Sequence, residues 1–372
     1  MEIYASTLMV ELQKLGCDVI SICKPSSKIQ QFLTANGVRC EHFSNNRKIS
    51  LSSLRLIRNI IEQRNVEVLH VHFHRDIWIP SIVLKDDSQR KLFLSVYMGV
   101  TSKNDIFHRW IYRRVNAIFS SSEELNSRLH TLYPVAKEKI HYLPYGRKLE
   151  LYSVDQHRRR SIRSKLNVGE DEMLVGTMVR IDPGKGAMDF ARSFLYLDKA
   201  LQARVKYVIV GEPTRKSRAK ANESPYEPPC EAYLQQLEAF ITKEKLSDRI
   251  ILAGFQEDLT GYLGAMDVFV FPSRDELYSL VVLDAMGMGL PVVAARAGGN
   301  LRQIEDGSNG LLYNVADSSD LADKLSTYIK NPELRKQHGQ SARQFVEKTH
   351  SMNNTIHLLK NFYAMDRSGL NK

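Results

Sequence analysis

Short apolar runs bounded by turn residues alternate with longer amphipathic stretches along most of this 372-residue chain. A short apolar run predicts a buried strand, and an amphipathic stretch between two such runs predicts a helix that connects parallel strands. The pattern therefore predicts an α/β protein. The predicted strands are residues 18–22, 66–71, 91–96, 117–120 and 139–143 in the first half, and residues 173–179, 205–210, 249–253, 267–271 and 291–295 in the second.

The length is sufficient for two domains, because domains usually contain about 100–200 residues. Residues 149–169 are polar and basic and have no strand signal, so we interpret them as a linker. We predict a first domain at residues 1–150 and a second at residues 170–348. Residues 349–372 include a last helical pattern, which is a candidate for packing back on the first domain.

The formal net charge of +10 and the isoelectric point near 9.3 favour anionic partners. Many cations fall between Lys103 and Lys165, where Trp110 and Tyr112 are interleaved with them. One interpretation is a solvated face, and the other is a surface for an anionic membrane or acceptor. No nucleic-acid motif accompanies the charge, so we predict no nucleic-acid partner.

The chain has neither a signal-peptide pattern nor an apolar run of the roughly 18–20 residues that span a bilayer. We therefore expect a cytoplasmic protein, with peripheral association at the inner face of the membrane as one alternative. The four cysteines show no CxxC spacing, so we expect reduced thiols rather than disulfides or zinc ligands.

Two acids follow the predicted strand at 267–271. Glu276 lies in the turn after this strand, and Asp284 lies in the helix that we expect to begin near Tyr278. Ligands of open α/β sheets bind at the carboxyl ends of strands, and a helix start suits a phosphate. These positions make Glu276 a candidate for sugar hydroxyls and Asp284 a candidate for a ribose, although such acids are also common as helix-start or exposed residues.

Two cations follow another predicted strand end. Arg180 and Lys185 lie in a Gly-containing loop and could neutralise a diphosphate leaving group. The loop matches neither the Walker P-loop nor the GxGxxG pattern.

Taken together, these segments resemble the retaining glycosyltransferases of family 4. The resemblance covers the second half nearly end to end and depends on the joint order of several short motifs. These are Gly176 to Arg180 with Lys185 and Gly186, Val208 to Gly211, Ile251 to Phe255, the pair Glu276 and Asp284, Gly298 with Gly299, and Asp306 to Gly310. The resemblance implies the GT-B fold, with two Rossmann-like domains facing across a cleft.

The resemblance also implies roles for particular residues. Arg180 and Lys185 match the pair that holds the donor diphosphate, and Glu276 matches the catalytic acid near the transferred sugar. The other donor-binding positions are Asp284 for the ribose, Tyr278, Ser279, Leu280 and Val281 for the phosphates, and Gly254 and Phe255 for the base. Members of the family retain the anomeric configuration and generally need no metal, with the leaving phosphate helping to deprotonate the acceptor. For this chain we expect a UDP- or GDP-sugar as co-substrate and no metal or cofactor.

The chain departs from the family pattern at four places. The second acid is Asp284 rather than Glu, and Leu277, Tyr278 and Ser279 replace a Gly-Phe-Gly segment. Tyr97 stands where a His often faces the reaction centre; we name it the second catalytic candidate, as a hydrogen-bond donor and not as a base.

The beginning of the chain is the fourth departure. Tyr4, Leu8, Leu12 and Leu15 recur at helical spacing, and Gly16 ends the pattern. A Rossmann-like domain normally begins with a strand and a Gly-rich turn. We expect both to be absent, so that the first domain is N-terminally truncated.

Three histidines, His70, His72 and His74, alternate at the end of a predicted strand. Alternation places them on one face, where they could bind a metal or, as we favour, line the acceptor cleft. We predict no metal site.

The leading hypothesis is a transferase that moves a sugar to a cell-surface polysaccharide or a lipid-linked glycan. The alternative is a degenerate member of the family that binds the nucleotide sugar without turnover.

Overall fold

The computed structural model describes residues 2–43, 49–216 and 223–364. The chain divides into two units, one formed by Met1–Gly146 with Met352–Lys372 and the other by Arg147–Ser351. The strands of both units pair in parallel. The predicted α/β class with parallel sheets is therefore confirmed.

The first unit contains these strands among its described residues: β1 (Ile20–Cys23), β2 (Arg39–His42), β3 (Val68–Val71), β4 (Lys91–Val96), β5 (Ala117–Ser120) and β6 (Ile140–Tyr142). Its helices are α1 (Glu2–Lys14), α2 (Lys28–Ala35), α3 (Leu51–Arg64), α4 (Trp78–Val83), α5 (Ile106–Tyr112), α6 (Glu123–Leu132) and α16 (Met352–Ala364). The strands form two sheets, β1-β2 and β3-β4-β5-β6. The expectation that a first strand is lacking stays a prediction.

The core of the first unit forms around β4 and β5. Leu92, Leu94 and Ile118 are fully buried and pack in one cluster with side chains of the surrounding helices. Strands that are covered on both faces are apolar nearly throughout, which explains why β4 and β5 were readable from the sequence. The opening helix is confirmed as α1, which buries Tyr4, Leu8 and Leu12.

Helix α16 belongs to the first unit although it follows the second unit in the sequence. Its buried residues include Ile356 and Leu359. The Tyr363 hydroxyl hydrogen-bonds to His70 Nδ1 at 2.6 Å, and the Tyr363 carbonyl oxygen accepts from Lys91 Nζ at 2.6 Å. The end of the predicted C-terminal segment, residues 365–372, lies outside the described residues.

The second unit contains one sheet of the strands β7 (Met173–Met178), β8 (Val205–Val210), β9 (Ile250–Gly254), β10 (Val268–Phe271), β11 (Val292–Ala295) and β12 (Leu311–Tyr313). Its helices are α7 (Gln156–Lys165), α8 (Ala187–Tyr196), α9 (Lys199–Gln202), α10 (Pro228–Lys243), α11 (Leu259–Ala265), α12 (Leu280–Gly287), α13 (Asn300–Gln303), α14 (Ser318–Lys330) and α15 (Pro332–Thr349). The strand order is β12-β11-β10-β7-β8-β9. The sheet is therefore doubly wound, and its order reverses between β7 and β10, where such sheets bind ligands.

Two features of the structure differ from the sequence-based expectation. Strands β2 and β12 were not predicted, because Arg39–His42 has no apolar run and Leu311–Tyr313 is short. The linker interpretation of residues 149–169 was wrong, because this segment contains α7, which packs on α11 in the second unit.

None of the helices in the described part of the chain combines the length and hydrophobicity needed to cross a membrane.

Helix α7 was mistaken for a linker because it is rich in arginine and has few apolar residues, yet several of its arginines bind acids of the second unit. Arg163 donates to Asp267 Oδ2 at 2.9 Å, and Arg159 donates to Asp267 Oδ1 at 2.5 Å. Arg158 pairs with Asp258. Arg159 and Arg163 attach the helix to the rest of the unit, so neither the solvated-face nor the binding-surface interpretation applies to these two, whereas Arg158 is exposed.

We expect Arg163→Ala to lower the free energy of unfolding by about 3 kcal/mol, because it removes the Arg163 hydrogen bonds to Asp267 and to the Ala265, Gly169 and Glu172 carbonyl oxygens. Arg160→Ala removes an exposed cation from the same helix and should change stability by less than about 0.5 kcal/mol. Urea unfolding of the full chain measures both. Equal losses in the two variants would contradict the assigned role of Arg163.

Candidate functional site

A lysine and an acid meet at the point where the strand order reverses. Lys185 follows β7, Glu276 follows β10, and the two side chains form an ion pair of 2.9 Å between Nζ and Oε2. Lys185 Nζ also donates to Ser273 Oγ at 3.4 Å and to the Asp275 carbonyl oxygen at 3.3 Å. The structure therefore brings together two residues that the sequence analysis assigned to the site.

Backbone contacts hold the loops that carry this pair. The Arg274 N–H donates to the Gly184 carbonyl oxygen at 3.0 Å. Gly186 has φ of +77°, and a Cβ atom there would lie 2.1 Å from the Pro272 carbonyl oxygen. Any larger residue at position 186 would push the loops apart, so a glycine is required.

A second close approach positions the backbone of Glu276. The Gly299 N–H donates to the Glu276 carbonyl oxygen at 2.8 Å. Gly298 has φ of +47°, and a Cβ atom there would lie 2.3 Å from the same oxygen. The Gly298 and Gly299 pair that the sequence analysis singled out thus supports the turn from which Glu276 projects.

Arg180 lies on the other side of β7, towards the loop that follows β8. It donates to Thr214 Oγ1 at 2.8 Å and lies 3.4 Å from Asp182 Oδ2. Burial alone would raise the pKa of Asp182, but hydrogen bonds from Thr214 outweigh it and lower the pKa. The negative Asp182 orients Arg180, which forms no bond to Lys185 or Glu276 in the described structure.

The predicted phosphate-binding segment includes the start of α12. Helix α12 begins at Leu280, two residues after Tyr278, because Ser279 is its N-cap and its hydroxyl accepts from the Val282 N–H at 3.4 Å. The Ser279 N–H donates to Gln303 Oε1 at 3.1 Å, and the Tyr278 hydroxyl bonds His350 Nε2 at 2.7 Å. Leu280 and Val281 form the first helical positions, whose N–H groups have no intrahelical acceptor.

Asp284 is buried in α12 and bound by two side chains that the sequence analysis did not connect with it. Arg147 Nε donates to Asp284 Oδ1 at 2.6 Å, and the Tyr152 hydroxyl donates to the same oxygen. Burial alone would lower the pKa of Arg147, but the charge of Asp284 outweighs it and raises the pKa. Asp284 is thus paired with a buried arginine. No local sequence signal connects residues so far apart in the chain.

Two predicted base-binding residues end β9. The Gly254 carbonyl oxygen accepts from the Gly211 N–H at 2.9 Å, and Gly254 has φ of +66°. The following Phe255 ring is exposed to solvent. An exposed ring can stack on a nucleobase. The base-binding role of both residues stays a prediction.

Tyr97 lies in the first unit, just after β4. Its hydroxyl bonds His72 Nδ1 at 2.8 Å. Burial and the neighbouring Tyr4 hold the pKa of Tyr97 well above its usual value, so the phenol keeps its proton near neutral pH. The residue can donate a hydrogen bond, as expected, and its catalytic role stays a prediction.

The three histidines do not form one cluster. The rings of His70 and His72 stack 4.3 Å apart, whereas His74 lies in a 3₁₀ helix, His74–Ile77, beyond β3. His70 bonds Tyr363 and Ser95. No group of three or more candidate ligands suited to a metal ion occurs within the described ranges.

A doubly wound parallel sheet with an ion pair at its switch point is typical of α/β proteins that bind a ligand at that edge of the sheet. The comparisons identify the family. The model of the glycosyl transferases group 1 matches residues 158–345, and that of glycosyltransferase family 4 matches residues 1–151. The chain therefore belongs to these glycosyltransferases, and the suspected resemblance is confirmed.

Curated relatives include transferases for different sugars. The chain is 32% identical to the sulfoquinovosyl transferase SQD2 of Arabidopsis thaliana over 51% of this chain and 33% of that protein. It is 25% identical to the lipopolysaccharide core mannosyltransferase LpcC of Rhizobium leguminosarum bv. viciae over 76% and 74%. The matched part is thus about a third of the plant protein's length.

Solved structures show the same fold. The structure of Anabaena Alr3699/HepE with UDP and glucose has a TM-score of 0.77, 18% identity and coverage of 97% of this chain and 96% of that one. A glycosyltransferase from Rickettsia africae ESF-5 has a TM-score of 0.82, 18% identity and coverage of 97% and 93%. These similarities confirm the predicted GT-B fold.

We expect Arg147→Met to lower the free energy of unfolding by about 3–5 kcal/mol, because Asp284 keeps a buried charge without its cation. The double variant Arg147→Met with Asp284→Asn has no uncompensated charge and should lose less. Urea unfolding of the two variants and of Asp284→Asn completes the cycle. A double variant less stable than Arg147→Met would contradict this pairing.

We expect the free energy of unfolding of the first unit to decrease as the pH is lowered from about 6.5 to about 4. Burial lowers the pKa of His72 from 6.5 to about 4, so the unfolded chain takes up this proton first. The contribution of neutral His72 is complete above about pH 6.5 and is lost as the pH falls towards about 4. His72→Gln should reduce this slope in urea midpoints measured against pH, whereas His357→Gln, an exposed control, should leave it unchanged.

Proposed function

We propose that this chain transfers a sugar, with retention of its anomeric configuration, from a UDP- or GDP-sugar to a cell-surface polysaccharide or a lipid-linked glycan. The observation that carries the proposal is the Lys185 and Glu276 pair at the switch point of the second sheet. The UDP and glucose in the Anabaena Alr3699/HepE structure support a nucleotide-sugar donor.

In the proposed donor site, the charged residues divide the work between the leaving group and the sugar. Lys185 and Arg180 stabilise the negative charge that develops on the diphosphate, and the N–H groups at the start of α12 add their dipoles. Glu276 accepts hydrogen bonds from the sugar hydroxyls. Because fixed cations supply the positive charge, the proposal requires no metal ion or cofactor.

The proposed chemical step occurs on one face of the sugar. The bond between the anomeric carbon and the diphosphate oxygen breaks, and the acceptor oxygen forms its bond on the same face. The departing phosphate oxygen takes the acceptor proton. The neutral Tyr97 phenol is suited to donate a hydrogen bond on the acceptor side but not to take that proton.

The nucleotide site would differ from the family pattern at the ribose. Asp284 Oδ1 is already occupied by Arg147 and Tyr152, which leaves Oδ2 as the oxygen for a ribose hydroxyl. For the lipid-linked acceptor we also propose peripheral association with an anionic membrane.

We expect Lys185→Ala and Glu276→Gln each to lower transfer or donor hydrolysis by roughly 100-fold or more, because each removes a group that acts on the reacting bond or its sugar. The assay uses a panel of UDP-, GDP- and other nucleotide sugars with the full chain. Lys199→Ala and Glu238→Gln, exposed changes elsewhere in the second unit, are the controls.

Full activity of both site variants would contradict the proposal. Binding of a nucleotide sugar by calorimetry, without transfer or hydrolysis across the panel, would instead identify a family member that binds without turnover. Circular dichroism of each variant separates lost activity from lost folding.

A further inference from the structure

Helix α5 exposes a cluster of large apolar side chains on the first unit. The side chains of Ile106, Phe107 and Trp110 are 75%, 68% and 49% exposed, whereas Ile111 and Tyr112 on the inner face are buried. Isolated exposed apolar residues are ordinary, but several together on one short element mark an interaction surface.

Cations flank this apolar face on both sides. Lys103 precedes the helix, Arg109 lies within it and Arg113 follows it. The acid of this segment, Asp105, caps the helix by accepting from the Phe107 N–H at 3.1 Å and also pairs with His108. The outward charge of the segment is therefore positive.

A cavity of about 670 Å³ opens beside the same helix. Trp110 and Arg113 line this cavity, and Arg114 and Lys139 also contribute cations. Its carboxylates are neutralised locally, since Asp87 pairs with Arg90 at 2.6 Å and Asp86 with Lys85 at 3.5 Å. The space is large enough for a phosphate-bearing headgroup, and its surplus charge has the matching sign.

We propose that the outward face of α5 and this cavity form a docking surface for an anionic lipid bilayer. Ile106, Phe107 and Trp110 enter the boundary between headgroups and acyl chains, where tryptophan is favoured, and the cations contact lipid phosphates. A bilayer with anionic lipids matches both features of this surface, because its phosphates complement the cations and its acyl chains accept the apolar side chains. A nucleic acid would match the charge and could stack on Phe107 and Trp110, but the exposed aliphatic side chain of Ile106 favours acyl chains over bases.

This docking surface is related to the proposed lipid-linked acceptor. Its biological role rests on that proposed function, whereas its binding to lipid does not. Helix α5 begins nine residues after Tyr97 in the same unit, on the connection that leaves the carboxyl end of β4. A lipid-linked acceptor held in the bilayer would thus be kept near the strand end that carries the acceptor-side candidate. Vesicle binding is measured without donor or acceptor, so failure of the two proposals can be distinguished.

The test is co-sedimentation of the full chain with phosphatidylglycerol-containing vesicles and with pure phosphatidylcholine vesicles. We expect binding to the anionic vesicles that weakens with added salt. The double change Ile106→Ser and Phe107→Ser should weaken it by about tenfold or more. Lys103→Gln and Arg113→Gln should each weaken it by about fivefold. The matched control, Phe32→Ser with Leu51→Ser, changes exposed apolar residues elsewhere in the unit and should have no effect.

Tryptophan fluorescence reports directly on the surface, because the chain has two tryptophans, Trp78 and Trp110. We expect vesicles to shift the emission to the blue, and Trp110→Phe to abolish the shift while binding persists. Equal binding to neutral and anionic vesicles, or binding that the α5 variants leave unchanged, would overturn the proposal. Self-association or RNA binding that depends on Ile106 and Phe107 in the absence of vesicle binding would also overturn it.

Discussion

The charged site of the second unit depends on two loops that meet at backbone contact. Lys185 and Glu276 come from different crossovers, and their ion pair needs the loops after β7 and β10 to stay together. Gly186 permits this approach, because its missing side chain leaves space for the Pro272 carbonyl oxygen. Charge alone would not fix the pair; steric complementarity between main chains sets its geometry.

Helix α12 transmits the same geometry to the segment expected to bind phosphates. The helix is largely apolar, so few polar groups fix its position. Gln303 holds the backbone of Ser279, the N-cap, through two hydrogen bonds. Arg147 holds Asp284, which lies further along the helix. The start of the helix is therefore anchored from segments distant in sequence, and its free N–H groups keep a defined direction.

The apolar patterns predicted most strands of both sheets, since β4, β5 and β8 are buried runs with clear ends. The GT-B assignment and the grouping of Lys185 with Glu276 also followed from sequence. Strand β2 was invisible because it is polar and partly exposed. The partner of Asp284 could not be predicted, because a contact between residues far apart in the chain leaves no local pattern.

Helix α16 completes the first unit after about 200 residues of the second unit have intervened. On a ribosome that adds roughly 5–20 residues per second, this interval lasts on the order of 10–40 s. During that time Tyr363 and its helix are missing from their place beside His70. The nascent first unit therefore lacks part of its core, with apolar surface uncovered, until α16 has been synthesised.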